Sequence, residues 1–462
     1  MSNRPDRITF QSRLDDMITS LRREIKNAQR PAGEYLPSEM ALADQYKLSK
    51  KSVRKGLDVL VAEGLIVKEH RVGNKIIGPK TAAPQLTLRL GYYPSLEGET
   101  DLRELLKQFG RLYPHVKVDT LPLPYTQYPE SIREYLDNGW LDVISLNNWN
   151  FLETAQSGAL DLFEPVKTDP QHYSFLSSVF AHEGMSYARP FIFSPVVLCY
   201  NKSLFRELSI PEPDSSWSWS DLADLSVRLK QEHDTIGFYA HIASTNRFPI
   251  VLLQNSFRFE RQDSGYKYDD PRMWESLRSF RDLIYGQDLF PSFLSESDAD
   301  AEKLFVSRKA AMLMTTYYSL RFLQDATFEY DLAPLPYQQN AKTLLLVTGL
   351  AISRQSPHKQ AARQLVEFLT QEAAQLHIRQ HTLSIPAHKP SAEWTGPEKG
   401  YRPARYHVYR EIVPTYGRYE DLNLPIRELD HLRHELKLFW SNLEQAEDVA
   451  ARLASGARIS VY

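Results

Sequence analysis

The chain of 462 residues contains a single cysteine, Cys199. One cysteine excludes an intrachain disulfide and a cage of thiolate metal ligands. It lies in the apolar run Val196-Val197-Leu198-Cys199-Tyr200, where a small buried residue is the expected role, and Tyr200 beside it reads as core. No run of about 18 apolar residues occurs, so no transmembrane helix is expected. The N-terminus is polar and charged and lacks the apolar core of a signal peptide, so the expected compartment is the cytoplasm. Three enzyme signatures are missing: G-x-S-x-G, H-E-x-x-H and G-x-x-x-x-G-K-[ST]. The acidic cluster Glu296, Asp298 and Asp300 precedes a helix, where carboxylates ordinarily serve the helix dipole rather than a metal. Neither a metal nor a cofactor is therefore expected, and the chain does not read as an enzyme. Internal repeats and low-complexity tracts are absent too.

The charge is unevenly spread. Residues 1–80 hold sixteen Lys and Arg against ten Asp and Glu, whereas the whole chain carries a net charge of −3, so the remainder is acidic. A basic head on an acidic body fits a nucleic-acid-binding module joined to one with another task. Within the head, Ser38 caps a helix over Glu39 to Tyr46, Lys47 and Leu48 turn, and Ser49 caps a second helix from Lys50 to about Glu63, ended by Gly64. Val53, Leu57 and Leu60 share one stripe of that second helix, which leaves Lys51, Arg54 and Lys55 facing outward. Leu14, Met17, Ile18, Leu21 and Ile25 form the apolar face of a helix upstream. Downstream, Arg71-Val72-Gly73-Asn74 lies between two short apolar runs and reads as the tip of a β-hairpin, or wing.

These residues resemble the winged helix-turn-helix of the GntR family of bacterial transcription regulators. The likeness rests on Ala32-Gly33-Glu34, Leu36-Pro37-Ser38-Glu39, Leu42-Ala43, Leu48-Ser49-Lys50, Val53-Arg54 and Glu63-Gly64-Leu65-Ile66. Two positions depart from the pattern. Met40 and Lys50 stand where the family usually has arginine, which weakens a bidentate grip on guanine and implies a different operator. The resemblance implies a homodimer on double-stranded operator DNA. The contacting residues are then expected to be Ser38, Ser49, Lys50, Lys51, Ser52 and Arg54, with Arg71, Gly73 and Asn74 on the wing.

After a linker at residues 81–85, the pattern changes. Leu86, Leu88 and Leu90 alternate as in a half-buried strand, Asp101 to Tyr113 has helical spacing, and Val116 to Leu123 is strand again. Strand, helix and strand in this order argue an α/β body. The alternation continues through strands at Leu141–Leu146, Ser194–Tyr200, Lys309–Thr315 and Leu344–Ser353, with helices at Phe151–Ser157, Trp219–Lys230 and His358–Thr370. Near the end, Leu429, Leu432, Leu436 and Phe439 fall in helical register, and packing on the body is favoured over dimerisation.

Several landmarks in order resemble the extracellular solute-binding proteins of sugar ABC transporters: Phe109 to Val118, Asp142 to Gly158, Arg189 to Phe205, Trp219 to Leu222, Phe305 to Met312, Tyr330 to Pro336, Ser356 to Ala362 and Ile385 to Ala387. The implied fold class is α/β: an N-terminal winged helix-turn-helix (1–80) followed by a two-lobed periplasmic-binding-protein-like domain (86–462). Lobe one would comprise about 86–190 and 350–390, and lobe two about 196–347 and 391–462. The chain would cross between them near Pro190–Pro195 and Val347–Leu350.

A sugar is held by flat aromatic faces and by side chains that hydrogen-bond hydroxyls. Candidate ligand residues are therefore Tyr93 after the first strand, Asn147, Asn148 and Trp149 after the third, Ser194 on the first crossing, His241 and Asn246 in lobe two, and Tyr318. The expected whole is a one-component regulator whose body senses a small solute, most readily a carbohydrate. Two rivals remain: a regulator with an aminotransferase-like body, for which the Schiff-base lysine context and turn motifs are missing, and a transport binding protein, against which the basic head argues.

Overall fold

The computed structural model describes residues 7–26, 29–69, 72–77, 86–124, 128–263, 265–285, 297–397 and 400–454. Arg71 and the linker at 81–85 lie outside them. The chain divides into two compact units, Met1–Thr87 with Leu112–Lys117, and Leu88–Arg111 with Val118–Tyr462.

The head has three helices, Arg7–Lys26, Glu39–Tyr46 and Lys50–Ala62, followed by an antiparallel hairpin of Ile66–Glu69 with Gly73–Ile76. Lys47 takes a left-handed conformation (φ 54°), and its N–H closes the preceding helix on the Ala43 carbonyl. That sharp exit lets Ser49 start the next helix two residues later. The apolar stripes anticipated on the first and third helices face one another: Met17, Leu21, Val53, Leu57 and Leu60 are fully buried, and Leu42, Leu65, Ile66 and Ile76 close the core. The third helix thereby has its apolar side spent inward, and its lysines have only solvent to face.

The body is organised on a ten-stranded sheet. Along its main path the order is Val116–Pro122, Leu86–Tyr92, Val143–Asn147, Thr343–Ile352, Arg189–Asn201, Ala310–Thr316 and Ile236–Tyr239. Arg189–Asn201 is one continuous strand of 13 residues, longer than the segment anticipated from residue 194. Its first half pairs with Thr343–Ile352, and its second half with Ala310–Thr316 and Tyr330–Ala333. Strands covered on both faces read as unbroken apolar runs, and every residue from Pro190 to Asn201 is buried. The two long antiparallel strands thus run from one lobe into the other. At Thr348/Gly349 their register slips. A Cβ at Gly349 would stand 2.9 Å from the Arg189 carbonyl oxygen and 2.7 Å from the Phe180 ring, so only glycine lets the backbones approach there.

Lobe two is filled by Trp219, Phe238, Trp274 and Phe280, together with the penultimate described helix Ile426–Trp440. Leu429, Leu432, Leu436 and Phe439 of that helix are fully buried in this core. The stretch 401–412 departs from its assignment to lobe two alone. Arg402 donates to the Arg379 and Thr382 carbonyls and Tyr406 to that of Ser384, while Arg405 bonds Asp331 and the Pro213 carbonyl. Its polar side chains find partners in both lobes.

Candidate functional sites

On the head, Ser38 and Ser49 accept from the backbone N–H groups of Ala41 and Ser52, each at 3.2 Å. Ser49 and Ser52 also share a 2.7 Å hydroxyl contact. Both caps fix the start of a helix, and the second sets where Lys50, Lys51 and Arg54 emerge; all three are exposed. Arg54 donates through Nε to Glu39 at 2.7 Å, which ties the third helix to the second while leaving the rest of the guanidinium outward. Met40 is exposed on the same pair of helices. On the wing, Gly73 is half-buried. Asn74 is buried, and its carbonyl accepts from the Leu36 N–H at 2.9 Å, so its place is in the hairpin's packing rather than on an outer surface.

In the body, a cleft of about 920 Å³ opens between the lobes. Six of the eight residues anticipated from sequence line it: Tyr93, Asn147, Asn148, Trp149, Asn246 and Tyr318. Asn147 caps the helix Asn148–Gln156 through its side chain, with Asn150 N at 2.7 Å. That helix begins earlier than its apolar spacing suggests, so Asn148 and Trp149 occupy its first turn rather than a loop. Both ends of the Asn148 amide are committed to the crossing strand, to the Leu345 carbonyl at 3.1 Å and the Val347 N–H at 3.2 Å. Tyr93 donates to Asn150 Oδ1 at 2.7 Å. Tyr318 reaches the Ile192 and Leu346 carbonyls at 3.2 and 3.3 Å. Trp149 meets Tyr419 edge-on, their ring centroids 5.0 Å apart.

Two anticipated residues are not at the cleft. Ser194 is fully buried: its hydroxyl donates to the Pro195 carbonyl and accepts from Tyr317 N at 2.8 Å, which fixes the crossing strand. His241 is half-buried and outside the lining.

Sequence reasoning missed the charged lining. Glu99 and Glu153 come from lobe one, and Asp298 and Arg321 from lobe two. Arg427, Asp430, Arg433 and His434 come from one face of the helix Ile426–Trp440. The three- and four-residue spacing of that last group, opposite the buried leucines, was the available signal. Burial pushes the Glu99 carboxyl up to about 7, opposed by the Ser95 hydroxyl and the Arg321 charge. Burial likewise raises Glu302, behind the wall, to about 7. Glu153 is also raised, first by burial and then by the neighbouring Glu130. Contacts that span the lobes around the cleft include Arg321 Nη1 to the Ser95 carbonyl at 2.9 Å, Arg427 to Glu130 at 3.2 Å, and Ile426 N–H to Gln156 at 2.8 Å. No three His, Cys, Asp or Glu side chains are grouped to hold a metal among the described residues, and no described helix is long and apolar enough to cross a membrane.

A winged helix with an exposed basic face, followed by two α/β lobes around a polar and aromatic cleft, defines a DNA-binding regulatory domain joined to a solute-binding domain. Comparison with known families agrees. Residues 93–376 match the bacterial extracellular solute-binding protein family, to which the chain belongs, and residues 15–76 match the gntR family of bacterial regulatory proteins. Among curated relatives, the sn-glycerol-3-phosphate-binding periplasmic protein UgpB of Shigella flexneri is 25% identical over 169 residues, 34% of this chain and 37% of that protein. The UgpB of Pectobacterium atrosepticum is 21% identical over 291 residues, 57% and 63% of the two chains. The chain thus spans between about a third and two thirds of the length of these relatives. Among solved structures, the Listeria monocytogenes ABC substrate-binding protein Lmo0181 in complex with cycloalternan superposes with a TM-score of 0.66 at 20% identity, covering 80% of this chain and 97% of that one. Maltose-bound MalE3 of T. maritima gives 0.67 at 18% identity, covering 80% and 98%. At such identities the likeness establishes the fold.

Proposed function

We propose that the protein is a cytoplasmic one-component transcription regulator, acting as a homodimer, that grips operator DNA through its winged helix according to whether its cleft holds a small polyhydroxylated solute. The observation that carries this reading is the co-occurrence on one chain of an exposed basic recognition helix and a cleft of about 920 Å³ lined by aromatic, amide and charged side chains. Tyr93, Trp149, Tyr318 and Tyr419 supply aromatic surface, and the carboxylates and arginines supply partners for hydroxyls. Sugar is the leading solute, since the structural neighbours named above were solved with cycloalternan and maltose. A glycerol phosphate is the second reading, favoured by the curated relatives' names and by three arginines in the lining. The body carries out no chemistry in this account: its role is capture and release.

Retention of genomic fragments on the purified full-length chain identifies the operator, and gel-shift titration with sugars then tests the sensor. Deleting residues 1–80 should abolish retention. If the truncated chain still retains the same fragments, or the intact chain ignores them at moderate salt, the reading is wrong.

A further inference from the structure

Whether the cleft accepts a neutral or a phosphorylated solute turns on one pair of side chains. Arg321 reaches from lobe two across the cleft, and its Nη1 donates to the Ser95 carbonyl of lobe one at 2.9 Å. It lies against the short helix Leu96–Thr100, where a Cβ at Gly98 would come within 2.2 Å of that same nitrogen. Glycine at that position is what admits the guanidinium. Arg321 Nε is shielded from solvent and has no hydrogen-bond partner among the described residues. One residue beyond Gly98, Glu99 is a buried carboxyl on the cleft wall, facing Arg321 without closing a direct ion pair among the described residues. Above about pH 7, where Glu99 is ionised, its carboxylate only accepts hydrogen bonds and a guanidinium only donates them, whereas a hydroxyl does both.

The other cations of the lining are already answered. Arg427 is held by Glu130 at 3.2 Å, and Arg433 by Asp430 at 2.9 Å. Asp298 faces the buried Arg247 at 3.4 Å. A dianionic phosphate would bring only acceptors and negative charge beside Glu99 and would meet no cation without a carboxylate neighbour. We infer that Glu99 and Arg321 are the specificity-determining pair of the cleft, and that they select an uncharged polyol, which donates a hydroxyl to Glu99 and accepts from Arg321, over its phosphorylated forms. This rests on the sensor reading above. Gly98 acts as a positioning residue, through Arg321.

The test is calorimetric titration of the full chain at pH 8, where Glu99 is ionised, with glucose, maltose, tagatose, glucose 6-phosphate and sn-glycerol 3-phosphate. At least one neutral sugar is expected to bind about tenfold or more tightly than either phosphate. Because a hydrogen bond to a charged group is at stake, E99Q and R321Q should each weaken it about tenfold or more. E99Q should also narrow the gap between neutral and phosphorylated solutes, a change in selectivity that a purely structural residue would not produce. G98A, which displaces the guanidinium without removing it, should weaken binding in the same direction, with the melting temperature of the free protein reporting that each variant folds. Phosphates binding as tightly as sugars, or E99Q leaving affinity within twofold and selectivity unchanged, would overturn the inference while leaving the sensor reading in place. Binding of no solute in either class would overturn the sensor reading, and the inference with it.

Discussion

Replacing Glu99 by glutamine should change the pH dependence of the body's stability. The carboxyl is enclosed by the cleft wall, and burial lifts it from 4.5 to about 7. The folded state therefore holds this proton more tightly than the unfolded chain does. Stability is unaffected by Glu99 below about pH 4.5, where both states are protonated, and falls as pH rises through about 7. The full difference corresponds to roughly 3 kcal/mol above both values. Glutamine keeps the shape and cannot ionise, so E99Q should escape that loss. Between pH 5 and 8 the melting temperature of the wild type should fall relative to that of E99Q by about 4 °C for a body of this size. The assay is thermal unfolding of both proteins across that range, followed by tryptophan fluorescence, because Trp149, Trp219, Trp274 and Trp440 all lie in the body. Parallel curves for the two proteins would refute the reasoning, since they would mean that Glu99 is solvated or fully paired. E302Q should shift in the same direction, because burial raises Glu302 to a similar value.

Leu57→Ala leaves a cavity in the fully buried stripe of the head and should cost about 2–5 kcal/mol there. Operator binding should weaken or vanish, and calorimetric solute binding should stay unchanged. Lys50→Ala and Lys51→Ala should each reduce the slope of log affinity against log salt by about 0.9 if the lysine meets a phosphate, read from anisotropy titrations at several salt concentrations. An unchanged slope places that lysine off the backbone. Lys202→Met should destabilise the body by about 3–5 kcal/mol, because Asp331 is fully buried and loses the ammonium 2.8 Å away, as a chemical denaturation curve would report.

Much of the fold was legible because local signals agreed with one another. Ser38, Lys47, Ser49 and Gly64 punctuate the head, and the buried positions between them keep a helical period, so caps and stripe give the same boundaries. The body's strands were legible as apolar runs because both their faces are covered. Their joining was not: the merging of residues 189–201 into one strand depends on pairing with residues more than a hundred positions away. The site was legible in part for the same reason. Tyr93 and Asn147 follow strands and reach the cleft, as position after a strand suggests. Ser194's place on the crossing suggests a ligand contact, but the strand's face turns its hydroxyl into the core, toward Tyr317. Glu99 and Arg321 carry no signal in sequence, because a lone charged residue in a helix reads as solvated surface until the opposite lobe is placed over it. Asn74's hairpin position suggests a DNA contact, but the hairpin's packing against Leu36 hides it.

The central claim is that solute capture and operator binding are coupled, and coupling between two binding equilibria is reciprocal. The most direct measurement is therefore a pair of titrations on the full-length chain: operator duplex at rising solute concentration, and solute with and without saturating duplex. The account predicts that operator affinity changes by about tenfold or more, and that solute affinity changes by the same factor. Operator and solute isotherms that ignore each other would contradict it.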